Sequence, residues 1–342
     1  MPGEGEDPAL GVSGGVVGVH AHPDDESLST GGLLAAWAAG GRPVCVVTCT
    51  RGERGEVIAL PGTTSEGRAG LEGDGPALGA YRETELAAAL TALGDGPDGI
   101  EHAFLDRLSG PDGERHPGYE DSGMAWVAPG VAGPAPDSPP TAFARVALDE
   151  PAGRLAVLLR ERRPAVVATY EPGGGYGHPD HVRTHAVTVR ALELAADPAW
   201  RPGGTGRAGE PWAGAELWQA VAPASVVRAA RATLAGLPDA RALAAAHGLT
   251  FPDPDEDLPP FAVEDLDVAE VVRVDVRPVL DRVVGALRAH ATQVQHATAL
   301  PRPDGEVAGW YALSNGVLAP ILATETYRVS APGGRRARSP WR

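Results

Sequence analysis

Gly15-Val16-Val17-Gly18-Val19 is a short apolar, β-branched run, and the seven residues from His20 to Glu26, His-Ala-His-Pro-Asp-Asp-Glu, carry five ionisable side chains. An unbroken apolar run of this length is the pattern of a strand buried on both faces, which calls for a parallel sheet covered by helices. Gly31-Gly32 and an alanine-rich helical pattern follow, so the charged cluster lies where a strand hands over to a helix. In open α/β sheets that is where ligands bind. Charge at this density beside a buried strand costs several kcal/mol if left unpaired, and a divalent metal is the simplest compensation.

The same pattern returns downstream. Ala165 to Tyr170 is a second unbroken apolar run, and Glu171-Pro172-Gly173-Gly174-Gly175-Tyr176-Gly177-His178-Pro179-Asp180-His181 leads from it into a helix predicted from His181 to about Ala196. Between the two, Pro43 to Thr50 and Ile100 to Leu105 read as strands, and Leu33 to Ala39, Tyr81 to Leu93 and Pro151 to Arg162 as helices. Residues 57 to 80 and 106 to 140 read as loops. Strand, polar loop and helix in alternation predict an α/β fold: a Rossmann-like, mostly parallel sheet flanked by helices, with the polar loops along one edge. A Pro/Gly-rich break at Trp200 to Pro211 separates a catalytic α/β domain over 14–199 from a smaller C-terminal α+β portion over 212–330. The latter is expected to complete the sheet and the substrate pocket through a strand at Ala215 to Val221, one helix from Ala229 to His247, a strand at Val271 to Val276 and a helix at Val279 to Ala291. Residues 1–13 are expected to be disordered and 331–342 a flexible tail.

Composition excludes several function classes. A formal net charge of −16 over 342 residues argues against nucleic acid or an anionic membrane as the main partner, since both demand a basic face; a small neutral substrate fits better. All 29 basic residues are arginine, which rules out Schiff-base chemistry and a P-loop lysine. Cys45 and Cys49 sit four apart on one strand, beyond disulfide reach, and read as reduced structural thiols. With no signal-peptide pattern and no apolar run long enough to span a membrane, a cytoplasmic protein is expected.

The two polar loops combine into one chemistry. His22 and Asp25, three apart in a turn stiffened by Pro23, can converge on one ion. The parallel topology brings His181 to the same edge. Two histidines and a carboxylate with a position left for water form a catalytic zinc arrangement, although this donor set accepts Fe(II) as readily in geometry. Asp24 is placed to act as general base, or else caps the following helix. His178 can serve as acid or oxyanion stabiliser, with Asp180 expected to hold its tautomer or raise its pKa. Tyr176 can add a donor to a tetrahedral intermediate. His20, His102, His116, His247 and His296 read as ordinary solvated or hydrogen-bonded residues.

Ala21-His22-Pro23-Asp24-Asp25-Glu26 and His178-Pro179-Asp180-His181 resemble the two signature motifs of the LmbE-like, or PIG-L, zinc-dependent deacetylases, α/β proteins that remove acetyl groups from N-acetylglucosamine-type sugars. Gly52-Glu53-Arg54-Gly55-Glu56-Val57, Tyr81-Arg82, Asp121-Ser122-Gly123-Met124, Ala289-His290-Ala291-Thr292-Gln293-Val294 and Ala312-Leu313-Ser314-Asn315 extend the resemblance over most of residues 15 to 329. It implies His22, Asp25 and His181 as ligands of one zinc, Asp24 as base, His178 as electrostatic or acid catalyst and Tyr176 as a mobile oxyanion donor. It further implies that Arg82 and Asp121 hold sugar and inositol hydroxyls. The implied substrate is an N-acetylglucosaminyl-inositol of the mycothiol pathway, 1D-myo-inosityl 2-acetamido-2-deoxy-α-D-glucopyranoside. The rivals are a sister amidase acting on mycothiol S-conjugates and a non-catalytic sugar-binding α/β module, which would need neither Asp24 nor His178.

Overall fold

A computed structural model describes residues 14–94, 99–110, 116–128, 131–201, 209–264, 266, 271–303 and 305–330. The stretches expected to be disordered at 1–13 and flexible at 331–342 lie outside the described residues. The first half runs β1 (Val16–His20), α1 (Asp25–Ser29), α2 (Gly31–Ala39), β2 (Val44–Thr48), α3 (Gly75–Leu93), β3 (Glu101–Phe104), β4 (Met124–Ala128), β5 (Val131–Pro134) and α4 (Asp149–Arg162). The second half runs β6 (Val166–Tyr170), a one-turn α5 (Gly174–Gly177), α6 (Pro179–Ala196), β7 (Glu216–Pro223), α7 (Ala224–Gly236), α8 (Pro238–His247), β8 (Ala262–Val263), β9 (Val271–Asp275), α9 (Leu280–Ala289), β10 (Gln295–Ala299), β11 (Val307–Ala312), β12 (Leu318–Leu322) and β13 (Thr324–Ser330).

The central sheet has the order β3-β2-β1-β6-β7-β13-β9, with β8 beside the end of β7. Its first five strands are parallel, and β13 lies antiparallel between β7 and β9. From β1 the chain moves outward to β2 and β3 on one side, then returns as β6 on the other. The carboxyl ends of β1 and β6 are therefore neighbours at a topological switch point, where the loops diverge and leave a crevice.

Alternate residues of each strand feed two cores. Val16, Val44, Val46 and Val166 pack against α2, α3 and α9 through Leu33, Leu34, Trp37, Leu86, Leu90, Val283 and Leu287. Val17, Val19, Cys45, Val47 and Val167 pack against α4 and α6 through Leu155, Leu159, Val187 and Ala191. Each fully buried Val or Leu side chain contributes about 1.5–3 kcal/mol relative to exposure, and both faces of the sheet are used, as the unbroken apolar runs require. The C-terminal strands lock onto this frame. Glu325 of β13 accepts the backbone N–H groups of Gly32 (2.6 Å) and Leu33 (2.8 Å) at the start of α2, satisfying donors that a helix terminus leaves unpaired.

Four expectations are corrected. The loop expected over 57–80 ends early, because Asp74 accepts the Ala77 N–H at 3.2 Å and Pro76 sits in the first turn, so α3 starts at Gly75. Arg82 is consequently mid-helix. The loop expected over 106–140 contains the β4–β5 hairpin. The single helix expected from Ala229 to His247 is two, since Pro238 cannot continue α7 and instead opens α8. The helix ahead of Ala196 begins at Pro179, two residues before His181. Beyond the central sheet, β10, β11 and β12 form a separate antiparallel sheet. Cys45 and Cys49 are free and buried, and among the described residues no helix is long and apolar enough to cross a membrane.

Candidate active site

The loop after β1 and the loop after β6 meet in the switch-point crevice and bring His22, Asp25, His178, Asp180 and His181 together, each less than a tenth exposed. His22 Nδ1 faces His181 Nε2 at 3.3 Å and Asp25 Oδ2 at 3.4 Å, and His181 Nε2 lies 3.3 Å from Asp25 Oδ1. Ligand atoms about 2.0–2.2 Å from a tetrahedral zinc are separated by about 3.3–3.6 Å. The triangle already has that size.

The outer nitrogen of each ring fixes what the inner one offers. His22 Nε2 contacts Asp180 Oδ2 at 3.3 Å, and His181 Nδ1 contacts the Gly174 carbonyl at 3.2 Å. Each outer nitrogen donates its proton to an acceptor-only oxygen, so both inner nitrogens present lone pairs to each other and to a carboxylate. Such facing lone pairs need a cation between them, and oriented histidines of this kind are the usual support of a metal ligand. Tyr170 completes the support: its ring stacks on His181 at 4.3 Å and its hydroxyl accepts the Ala21 N–H at 2.9 Å. Gly174 has φ +69°, and a Cβ there would lie 2.6 Å from the Val182 nitrogen, so only glycine lets its carbonyl reach His181.

Two other groupings bring ligand atoms within 4.8 Å of one another, His22–His178–His181 and His22–Asp121–Asp180. Their donors are already engaged. His178 Nδ1 accepts the Asp180 N–H at 3.1 Å, which leaves a proton on Nε2. Asp180 accepts both the N–H and the hydroxyl of Ser122, while Asp121 accepts the N–H groups of Gly123 (2.8 Å) and Arg54 (3.2 Å). In the set His22, Asp25 and His181, Asp25 Oδ2 also accepts the His22 N–H at 2.9 Å, and two imidazole nitrogens and the carboxylate face one point, so these residues could hold a metal. Charge agrees. Burial pulls the His22 pKa down, but Asp121, Asp180 and Asp25 outweigh it and leave it well above the ordinary histidine value; for Asp25, burial pushes upward while His181 and His22 hold it well below the usual carboxylate range. The pocket favours positive charge, as a proton or as a metal that displaces it.

Asp24 occupies the N-cap position of α1 without a side-chain capping bond, so the capping alternative fails. Its φ is +111°, a conformation costing a non-glycine residue about 1–3 kcal/mol. Its carboxylate is free of the helix and lies 3.3 Å from the Arg82 guanidinium. Burial raises it to about 6, with Arg82 opposing.

Three expected residues have surroundings other than those expected. Asp180 fixes the His178 tautomer through its backbone N–H at 3.1 Å and not through its carboxylate, which turns to His22 and Ser122. His178 is not driven toward imidazolium, because burial first, then the neighbouring His22 and His181, lower its pKa well below 6.5. Arg82 is 3% exposed and faces protein, donating to the carbonyls of Gly52 (2.7 Å) and Pro23 as well as to Asp24. Asp121 is also buried and lies 3.7 Å from His22 Nε2, at the edge of an open cleft lined by Arg51, Glu53, Arg54 and Glu120. Tyr176 stands over the cluster, its ring 5.0 Å from that of His181 and 6.0 Å from that of His178. His20 is buried and paired with Thr30 at 2.9 Å, in line with the ordinary role expected of it.

Three participants receive no role from the sequence, although Ser122 and His290 fall in segments that carry the family resemblance. Tyr170 looks there like the last residue of a strand, and Ser122 like part of a loop. His290 forms a buried pair with Glu26 at 2.7 Å across 264 residues; no local pattern announces it.

The PIG-L model, described as GlcNAc-PI de-N-acetylase, matches residues 17–192, which hold both polar loops. Relatives carry the name 1D-myo-inositol 2-acetamido-2-deoxy-alpha-D-glucopyranoside deacetylase. One from Kineococcus radiotolerans is 44% identical over 91% of this chain and 76% of its own. One from Rhodococcus erythropolis is 40% identical over 92% and 90%, and one from Streptomyces avermitilis is 40% identical over 91% and 90%. By the family match and by identity along nearly the whole chain, this protein belongs to the PIG-L family of de-N-acetylases.

Proposed function

We propose that the protein is a metal-dependent hydrolase that removes the N-acetyl group of 1D-myo-inosityl 2-acetamido-2-deoxy-α-D-glucopyranoside, releasing acetate and the free glucosaminyl-inositol. The observation that carries this is the triangle of His22 Nδ1, His181 Nε2 and the Asp25 carboxylate, with the Asp24 carboxylate, paired with Arg82, next in the chain; the names of the relatives supply the substrate. Zinc is the metal expected, with Fe(II) the alternative for the same donors. When bound, it supplies Lewis acidity that polarises the amide carbonyl and lowers the pKa of the attacking water.

The protein groups do the rest. Asp24 accepts the proton of the attacking water, and Arg82 aims its carboxylate. His178, neutral, donates from Nε2–H to the oxygen that gains charge as the carbonyl becomes tetrahedral, with the Tyr176 hydroxyl as a second donor. Asp24 then returns its proton to the leaving nitrogen as the C–N bond breaks. Asp180 orients His22, and Asp121 sits where the sugar's hydroxyls would enter from the cleft. A cytoplasmic site of action completes the reading and suits the two unpaired cysteines.

The experiment is a side-by-side assay of the metal-loaded protein on the acetylated glucosaminyl-inositol and on a mycothiol S-conjugate, with acetate and free amine quantified. Equal amounts of acetate and amine, and preference for the acetylated sugar, are expected. Preference for the conjugate would move the protein to the sister amidase activity, and turnover of neither would leave a binding module.

The pH profile separates the two acid–base groups. Asp24 must be ionised, and burial raises its carboxyl to about 6 in the metal-free site, so kcat/KM rises with pH on a limb no higher than that value and is lost below it. A cation on the adjacent ligands lowers the limb further. His178, already neutral, contributes no falling limb. His178→Ala is therefore expected to lower kcat by about 10²–10³-fold, the cost of one oxyanion donor, without moving the rising limb. An alkaline decline that vanishes only in His178→Ala would show that its charged form is the working one.

A further inference from the structure

We propose that Glu26 and His290 form a positioning pair that holds Asp24 in its strained backbone conformation, so that a residue from the far end of the chain sets the aim of the base. The inference rests on the assignment of Asp24 as base made above. Asp24 is among three described non-glycine residues with positive φ, and its conformation falls in the turn between two metal-ligand candidates. Something must hold it there.

The holding contacts can be traced. The Asp24 N–H donates to Glu26 Oε2 at 3.0 Å, a contact across two residues that ties the strained peptide to the next carboxylate. The Asp24 carbonyl accepts the N–H groups of Ser27 (3.0 Å) and Leu28 (2.9 Å) and so opens α1. The other oxygen of Glu26 is held by the Ser27 hydroxyl and by His290 Nε2 at 2.7 Å. Glu26 and His290 are both fully buried, so neither carboxylate oxygen can exchange its partner for water.

His290 is itself fixed. It follows directly on α9, and its carbonyl accepts the N–H groups of Gln293 (2.9 Å) and Val294 (2.8 Å). Two residues on, Thr292 gives its N–H (2.8 Å) and hydroxyl (2.6 Å) to the two oxygens of Glu85 on α3. Arg82, one turn earlier on α3, meets the Asp24 carboxylate. The base is thus held from two sides by elements that α3 ties together, Arg82 at its carboxylate and Glu26–His290 at its backbone. A carboxylate with one oxygen on the Asp24 N–H and the other on the buried His290 ring cannot rotate without breaking one contact.

Neither residue touches the reacting atoms, so the pair acts through Asp24, and the test is a double-mutant cycle on the zinc-loaded enzyme with the acetylated glucosaminyl-inositol. His290→Leu removes the donor, and His290→Gln keeps one near the Nε2 position. In His290→Leu, kcat is expected to fall about 10- to 100-fold, the scale of a misplaced catalytic group, with KM within about twofold and full metal content by elemental analysis; His290→Gln should recover most of the loss. In an Asp24→Asn background, His290→Leu should add little. If Asp24→Asn alone leaves turnover intact, the base assignment fails. If it is slow but His290→Leu still subtracts its full effect, the positioning role fails with the base assignment standing. Metal lost in step with kcat, or a glutamine as slow as leucine, also overturns it. Should His290→Leu not fold, Glu26→Gln runs the same cycle, because one of its two oxygen positions becomes an N–H₂ facing a donor.

Discussion

His181→Ala is expected to lose metal and activity together while the fold survives. His181 donates Nε2 to the ligand triangle and lies in the first turn of α6, outside both hydrophobic cores. Removing it leaves His22 and Asp25 with one missing corner, and the remaining pair would be satisfied by a proton shared between them. Elemental analysis should find little zinc in the purified variant, while circular dichroism and the thermal midpoint stay close to the parent. Turnover should fall to background, because neither carbonyl polarisation nor water activation remains. Full metal content in this variant would remove His181 from the ligand set.

Asp24→Asn is expected to separate chemistry from binding. The amide keeps the size of the carboxylate and leaves His22, Asp25 and His181 untouched, so metal content should be unchanged. Loss of a general base lowers rate by about 10²–10⁴-fold, and the loss should appear in kcat with KM little altered, the signature of an interaction made in the transition state. The neutral side chain also forfeits its ion pair with Arg82 at 3.3 Å, so some of the effect is lost orientation. Metal loss in Asp24→Asn would instead make it a ligand, and the roles within the turn would exchange.

Much of this site was legible because its parts are local. The β-branched runs of β1 and β6 announced strands buried on both faces, and each ran straight into a cluster of histidine and aspartate. The rule that ligands bind where parallel strands end then placed His22, Asp25 and His181 in one crevice. What the sequence hid are directions and long-range partners. Asp180 lies two residues from His178, so adjacency suggested a pair. The first turn of α6 instead points its carboxylate at His22, 158 residues away. The resemblance implied Arg82 as a substrate clamp; the Asp74 cap extends α3 backwards, sets Arg82 mid-helix and leaves it buried beneath Gly52 and Pro23. The charge of His178 depends on its surroundings: burial and two neighbouring histidines decide it, and neither can be read from the motif. The link from Glu26 to His290 spans most of the chain and has no periodic signature.

The most direct measurement is the location of the metal itself, by anomalous diffraction from crystals of the zinc-loaded protein. A single peak is expected about 2.0–2.2 Å from His22 Nδ1, His181 Nε2 and Asp25, with Asp180 on the far nitrogen of His22 and Asp24 beside the open coordination position. A peak on the opposite face of His22, between Nε2, Asp121 and Asp180, would contradict the ligand assignment and with it the roles given to Asp180 and Asp24.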